Sequence, residues 1–350
     1  MKRSMLYVMC VSWEWIYQRP QIIAERLADD FDMTVVYPRM PMDCSPKVED
    51  TEKIKYRRVI HFPFQERTKT VEKFFVQYNQ KNAFRDVDNY DYIFIGHPVY
   101  ARFIPEGYKG TVIYDCMDNF EAMCEYKSYL NNVNRLEKII VKRCSLLLAT
   151  SDSLKKKMDA IAGFSKSVLC RNGTGISEVY PIKKSLIKRS YRIGYVGTIS
   201  RWFDFELISD TRKIVDNIEY HLIGPVINKR TGDNIVFEGV VEHERIYEYI
   251  KDCDCLIMPF LINDIVLSVD PVKLYEYIAF GKCIISVYYP EIARFEDFVY
   301  FYHDKQKYIE IIQRLSSEGF PVKYSQKQRK DFLEQNTWEC RIQEIMKYIK

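Results

Sequence analysis

Lys273 and Glu276 stand three positions apart in the stretch Asp270–Ile285, DPVKLYEYIAFGKCII, and their chemistry orders the reading of the whole chain. Pro271 has no backbone N–H and suits the first turn of a helix. Val272, Leu274, Tyr275, Ile278 and Ala279 then recur at helical spacing, Gly281 closes the run, and Cys283, Ile284, Ile285 and Val287 read as the next strand. The start of such a helix offers free N–H groups and a partial positive charge. Lys273 adds a cation there, and Glu276, one turn further in, offers a carboxylate to two adjacent hydroxyls. Amides, cation and carboxylate together match a nucleoside diphosphate, with phosphates on the helix end and ribose on the glutamate. An amphipathic helix with a solvated lysine and glutamate has the same pattern, so the rest of the chain must decide.

The elements that would position these residues follow from length and pattern. At 350 residues the chain is long enough for two α/β domains. Hydrophobic content of 47% and charged content of 29% are those of a globular protein. Its longest apolar runs, such as Leu146–Ala149 and Cys255–Leu261, are too short to span a bilayer. The opening MKRSMLYVMCVSWEW has basic residues before an apolar run. It lacks a small-residue cleavage site and is interrupted by Trp13, Glu14 and Trp15, so a buried first strand is expected rather than a signal peptide. Ten cysteines (Cys10, Cys44, Cys116, Cys124, Cys144, Cys170, Cys253, Cys255, Cys283 and Cys340) form no Cys-x2-Cys pair. Buried thiols in a reducing cytosol are expected, not disulfides or zinc.

The net charge of +4 is uneven: residues 1–190 hold 31 Lys+Arg against 23 Asp+Glu (+8), and the remainder 21 against 25 (−4). That excess is too small and dispersed for a nucleic-acid groove. A solvated basic surface accounts for it, as does peripheral contact with an anionic membrane through Lys155–Lys157 and Arg57–Arg58. The expected location is cytoplasmic, at the inner face of the cell membrane if that contact forms.

Met5–Val11 is a continuous apolar run, as for a central parallel strand; a loop, a helix opening at Arg19-Pro20-Gln21 and the strand Met33–Tyr37 follow. This β–loop–α–β start signals a doubly wound sheet, in which loops leaving the carboxyl ends of the strands hold the ligand. Further strands are read at Lys53–His61, Tyr92–Ile95, Val112–Tyr114, Leu146–Thr150 and Val168–Cys170. The pattern restarts with strands at Arg192–Val196, Glu219–Ile223, Ile235–Phe237 and Cys255–Pro259, and helices at Tyr308–Leu315 and Phe332–Ile349 finish the chain. No Gly-x-Gly-x-x-Gly occurs, against an ordinary dinucleotide fold.

In this order IGYVGTISRWFDFELI, HLIGPV, VFEGVV, YIKDCDCLIMPF and PVKLYEYIAFGKCIIS, preceded by WEWIYQRPQIIAERLA, VIYDCMDNF and SDSL…RNGTG and followed by NTWECRIQEIM, resemble the bacterial family 4-like subgroup of the GT-B glycosyltransferases. The resemblance implies an α/β fold of two Rossmann-like doubly wound domains facing a cleft. It implies an N-terminal acceptor domain (1–180), a linker (181–190), a nucleotide-sugar domain (191–325) and a closing helix (326–350) that crosses back to the first domain. It implies hexosyl transfer from a nucleotide sugar, UDP-sugar favoured, to a saccharide or lipid-linked acceptor in capsule-like surface polysaccharide or glycoconjugate synthesis. On it Glu276 binds ribose, and Arg201 and Lys273 neutralise the departing diphosphate, helped by the amides of Gly197, Thr198, Val272 and Lys273. Val240 and Val241 are candidates for the base. No cofactor is required and no metal is expected, on the reading that the sequence holds no Asp-x-Asp, the usual metal-binding signature of the other large glycosyltransferase fold.

One departure bears on the chemistry. The subgroup's retaining signature is Glu-x7-Glu, and eight residues before Glu276 stands Ser268, with Asp270 the nearest acid. Either Asp270 replaces the missing carboxylate, or the sugar is read through Ser268 and backbone. On the first domain His97 follows a strand where many retaining relatives carry an active-site histidine; a structural histidine is the competing reading. Asp115 and Asp118 follow the next strand, and Asp118 is the candidate general base if the reaction inverts, with Asp115 read as a cap or turn residue. Arg19, Gln21, Glu14 and Trp15 are candidates for the acceptor side. A sugar-nucleotide epimerase and a non-catalytic nucleotide-sugar-binding partner are the alternatives.

Overall fold

The computed structural model describes residues 2–39, 48–62, 68–124, 126–176, 180–182, 185–227 and 235–349. Cys44 and part of the expected 181–190 linker lie outside them. The chain divides into two units, Met1–Arg171 with Arg341–Lys350, and Asn172–Cys340.

The first unit is built on seven parallel strands: β1 (Ser4–Val8), β2 (Asp32–Arg39), β3 (Ile54–Ile60), β4 (Tyr92–Ile95), β5 (Thr111–Cys116), β6 (Leu146–Ala149) and β7 (Val168–Leu169). They lie in the order β3-β2-β1-β4-β5-β6-β7. Helices follow the strands: α1 (Arg19–Leu27), α2 (Lys69–Lys81), α3 (Phe120–Met123), α4 (Lys127–Arg143) and α5 (Asp152–Ala162). Every residue of β4 and β6 is buried, the reason YIFI and LLLA are apolar without alternation. Strand order reverses at β1, so the loops after β1 and β4 splay apart there, as a doubly wound sheet requires of its ligand crevice.

The second unit repeats the plan with β8 (Tyr191–Val196), β9 (Ile218–Ile223), β10 (Ile235–Gly239), β11 (Cys255–Met258), β12 (Cys283–Val287) and β13 (Tyr300–Tyr302), all parallel in the order β10-β9-β8-β11-β12-β13. Its helices are α6 (Phe205–Ile214), α7 (Ile246–Ile250), α8 (Val272–Ala279), α9 (Lys305–Glu318) and α10 (Gln326–Gln335). The reversal here falls between β8 and β11, so the loop leaving β8 opens at the corresponding place. β13 was not expected: three residues are too few for a period to register.

The closing helix expected over Phe332–Ile349 is two helices. Asn336 ends α10, and the Thr337 hydroxyl accepts the Cys340 N–H at 3.2 Å to start α11 (Trp338–Met346). Beyond Cys340 the chain belongs to the first unit, where Ile345 and Ile349 are buried among Met5, Tyr7 and Leu27. The Tyr92 hydroxyl donates to the Ile349 carbonyl at 2.9 Å.

Candidate functional site

α8 is held by its apolar face. Leu274, Tyr275, Tyr277 and Ile278 are fully buried, each contributing on the order of 1.5–3 kcal/mol of burial free energy. The Tyr277 hydroxyl accepts the Val196 N–H at 2.9 Å, tying the helix to the end of β8. Its C-terminus turns on Gly281 at φ +67, where a Cβ would meet the Arg329 guanidinium at 2.2 Å. At its N-terminus Pro271 is extended and supplies no side-chain cap, so the Val272 and Lys273 amides have no acceptor within the helix.

The loop leaving β8 stands against that end. Gly197 takes φ +138, a conformation that favours glycine, and a Cβ there would lie 2.1 Å from Lys273 Cε. The Lys273 ammonium lies 5.9 Å from the Tyr195 ring centroid. Among the described residues it has neither ion pair nor hydrogen bond, and burial pushes its pKa down against the pull of Glu276. A desolvated cation without an anion is unfavourable, and a phosphate would relieve it. The Tyr195 hydroxyl donates to the Thr198 carbonyl at 3.0 Å, while the Thr198 N–H has no partner among the described residues. The Gly197 amide is different: it donates to Ile223 at 2.8 Å, which corrects its expected role as a phosphate ligand.

Glu276 lies one turn into α8 with its side chain 14% exposed, and its Oε1 meets His243 Nε2 at 2.8 Å. His243 carries no signal in the sequence that points to this contact. Arg201 is exposed on the turn after β8, and Val240, just past β10, is 71% exposed.

Asp270 and Ser268 are turned inward. The Asp270 carboxylate is enclosed and accepts the Asn172 N–H at 2.6 Å, the Tyr275 hydroxyl at 3.1 Å and the Arg294 guanidinium. Its acceptor capacity is filled within the unit, so it is not a replacement for the missing sugar-binding glutamate. The Ser268 hydroxyl is buried and donates to its own turn, with the Ile265 carbonyl 2.8 Å and the Asp264 carbonyl 3.0 Å away.

In the first unit the residues following β1, β3 and β4, with the end of β2 and Tyr129 of α4, line an open cavity of about 370 Å³; Cys10, Trp15, Arg39, His61, His97 and Tyr100 are among them. His97 Nδ1 accepts the Val99 N–H at 3.2 Å, which places the proton of the neutral ring on Nε2, 3.3 Å from the Tyr129 hydroxyl. Burial, with His61 and Arg102 nearby, lowers its pKa to about 3. His61 Nε2 meets the Tyr100 hydroxyl at 3.0 Å, and burial and Arg102 lower its pKa to about 4. The Asp118 carboxylate has no hydrogen-bond partner among the described residues, and burial and the Asp115 charge raise its pKa to about 6. It is close enough to Cys10, on the cavity wall, to raise that thiol's pKa.

Of the four candidates for the acceptor side, Trp15 lines this cavity, 56% exposed. Glu14 lies beside it and accepts the Ser12 hydroxyl at 2.5 Å. Arg19 and Gln21 are corrections, because both are buried. Arg19 makes a two-point pair with Asp115 (Nε–Oδ2 2.9 Å, Nη2–Oδ1 2.8 Å) and donates to the Arg171 carbonyl at 3.1 Å. Gln21 holds the 12–16 loop through the carbonyls of Ser12, Trp13 and Ile16, each at 3.4 Å. Asp115 is thus the buried partner of an arginine rather than a cap. His61, Tyr100, Tyr129 and Arg39 were missed, for they come together from four separate segments.

Of the residues named for lipid contact, Lys155, Lys157, Arg57 and Arg58 are engaged within the unit, whereas Lys156 is exposed. Lys155 pairs with Asp159, Lys157 with Glu137 and Glu121, and Arg57 with Asp86. No helix among the described residues is long and apolar enough to cross a membrane. The ground for expecting no metal also needs correction, since Asp-x-Asp triplets do occur at Asp30–Asp32, Asp86–Asp88 and Asp252–Asp254. Asp32 lies 3.5 Å from Lys55, Asp86 is paired with Arg57 and Asp254 with Lys188, and no cluster of three or more metal-ligating residues is found among the described residues.

No protein-family model matches the chain. It is 25% identical over 266 residues to TuaH of Bacillus subtilis (strain 168), provisionally named a teichuronic acid biosynthesis glycosyltransferase; the match spans 68% of this chain and 66%, just under two thirds, of that relative. A sucrose-phosphate synthase from Thermosynechococcus elongatus superposes with a TM-score of 0.74 at 14% identity, covering 99% of this chain and 98% of that one. Anabaena Alr3699/HepE, solved with UDP and glucose, superposes at 0.71 with 12% identity and 99% of each chain covered. The two parallel-sheet Rossmann-like units are the GT-B architecture of glycosyltransferases.

Proposed function

We propose that this GT-B glycosyltransferase moves a sugar from a UDP-sugar held by its second unit to a saccharide or lipid-linked acceptor held by its first, in bacterial surface polysaccharide synthesis. The observation that carries the reading is the half-buried Lys273 ammonium, partnerless among the described residues, beside the open amides of Thr198, Val272 and Lys273. Such a group of fixed donors lowers the barrier to departure of a diphosphate because charge develops there in the transition state. Arg201 adds a cation from the exposed turn, Glu276 takes the ribose hydroxyls, and Val240 borders the base. These cations and amides supply the neutralisation without a metal in our reading.

On the acceptor side, the cavity rimmed by Trp15, Tyr100 and Tyr129 suits a sugar ring, which stacks its C–H face on aromatic groups while offering hydroxyls to their polar ends. His97 enters it neutral and serves as a hydrogen-bonding group. Asp118, with its pKa raised to about 6, is suited to receive a proton near neutral pH. The relationship to TuaH supports the polysaccharide setting, and the UDP held by HepE supports the donor base.

A melting series with UDP-, GDP-, ADP- and dTDP-sugars tests the donor. A ligand at a hundred times its Kd stabilises the fold by about 2.7 kcal/mol, so UDP-sugars are expected to give the largest rise in Tm, and Lys273→Ala and Glu276→Ala to abolish it. A rise undiminished in both variants would remove this site from the reaction. UDP release that requires an acceptor separates transfer from epimerisation, and binding without turnover on any acceptor would mark a non-catalytic partner.

A further inference from the structure

Glu276 has a neighbour that no motif announces. His243 sits on the 3-10 segment His243–Arg245 ahead of α7, 33 residues away in sequence, and its Nε2 lies 2.8 Å from Glu276 Oε1. The histidine side chain is 38% exposed and the glutamate 14%. Imidazole Nδ1 and carboxylate Oε2 have no partner among the described residues. A glutamate on a helix surface turns about three bonds, and this contact restrains it at one oxygen only.

Resting on the reading of Glu276 as the ribose ligand, we propose that His243 is a positioning residue of the donor site: it holds one carboxylate oxygen so that the other, and the remaining lone pairs, meet the two hydroxyls of the nucleotide ribose. A carboxylate has about four lone-pair directions, so one donor from the protein leaves enough for two from a diol. A free glutamate would have to be ordered on binding, and a held one is ordered beforehand.

The charged groups facing the imidazole are Glu276 from α8 and Glu244 beside it, and Lys273 is the cation near the carboxylate. The hydrogen bond with Glu276 raises the His243 pKa, with Glu244 adding to it. A protonated ring is the stronger donor, so the hold on Glu276 is firmest at low pH and weakens as pH rises through the folded-state pKa, where only the Nε2–H tautomer still donates.

The test is calorimetric titration of UDP-glucose into the full chain from pH 6.0 to 8.5, for the unaltered protein and for His243→Gln, His243→Ala, Glu276→Gln and the His243→Ala/Glu276→Gln pair. UDP-glucose is the probe because its diphosphate diester does not titrate in that range. The unaltered protein should bind roughly five- to tenfold more weakly at pH 8.5 than at 6.0, reflecting a charge-assisted bond becoming a neutral one. His243→Gln, a neutral donor, should bind with intermediate affinity and no pH slope; His243→Ala should be about tenfold weaker at pH 6.0. With Glu276→Gln in place, removing His243 should cost nothing further. A pH slope retained in His243→Gln, or full affinity in His243→Ala, overturns the proposal while a weakened Glu276→Gln leaves the donor site standing. Full affinity in Glu276→Gln, or no binding of UDP-glucose by the unaltered protein, overturns both.

Discussion

Gly197 and Lys273 compete for one volume: a Cβ on Gly197 would lie 2.1 Å from Lys273 Cε and 2.6 Å from Nζ. The missing side chain is therefore the space in which the cation rests. Gly197→Ala must displace the ammonium and also strain a backbone at φ +138, at a cost of about 1–3 kcal/mol. The expected result is a lower Tm together with at least a tenfold loss of UDP-sugar affinity, on the order of one charge-assisted bond. Gly163→Ala is the control, since φ there is +86 and nothing lies within 4 Å; it should lower Tm and leave affinity unchanged. Equal affinity in both variants would dissociate Lys273 from the donor.

Asp270 illustrates how a residue of the right type can be the wrong one. Its enclosed carboxylate pairs with the Arg294 guanidinium, whose side chain is 24% exposed and also lies 2.8 Å from the Tyr275 hydroxyl. Removing the carboxylate strands a partly solvated cation and the buried Asn172 N–H, at about 2–3 kcal/mol, below the cost for a fully buried pair. Asp270→Ala should therefore unfold at markedly lower denaturant concentration. A variant as stable as the parent but inactive would reinstate Asp270 as a reacting group.

The two aspartates after β5 should separate by the same logic. Asp115 is fully buried and doubly bonded to Arg19, so Asp115→Asn should cost several kcal/mol of stability, about the value of breaking a buried pair. Asp118 is desolvated with no partner among the described residues, and its raised pKa means that ionisation opposes folding. Asp118→Asn should leave Tm unchanged or higher and lower kcat by about 100-fold or more, the usual size of a general-base contribution. Thermal denaturation beside steady-state kinetics distinguishes the pair, and loss of stability with unaltered kcat in Asp118→Asn would sink its assignment.

What the sequence made legible is what is local. Lys273 and Glu276 were readable because one helix of eight residues carries both, bounded by Pro271 and Gly281. The strand runs were readable because parallel strands buried on both faces are apolar throughout. Fates set by distant partners were not: Arg19 meets Asp115 96 residues away, Asn172 meets Asp270 98 away, and Glu276 meets His243 33 away. Nothing in the period or in the turn residues encodes such pairings. The first-unit cavity was half legible for the same reason. Trp15 and His97 follow recognisable strands and His61 ends one, whereas Tyr129 arrives there only through the packing of α4.

That cavity has a signature in pH. His61 and His97 are folded with pKa values lowered to about 4 and about 3, chiefly by burial, against an ordinary 6.5. Below pH 6.5 the unfolded chain binds protons that the folded chain does not, so stability is full above that pH and is lost as pH falls toward the folded values. The loss is about 2 kcal/mol per histidine at pH 5. Asp118 acts in the opposite sense between its ordinary 3.8 and about 6, because its folded form holds a proton more tightly, and it offsets part of the loss. The protein should therefore melt several degrees lower at pH 5 than at pH 7, and His61→Gln should flatten the slope by removing one titrating group while keeping a polar contact for the Tyr100 hydroxyl. The same neutrality predicts that kcat has no inflection from His97 between pH 6 and 8. A Tm independent of pH in this range, or an unchanged slope in His61→Gln, would mean that burial does not hold these imidazoles neutral.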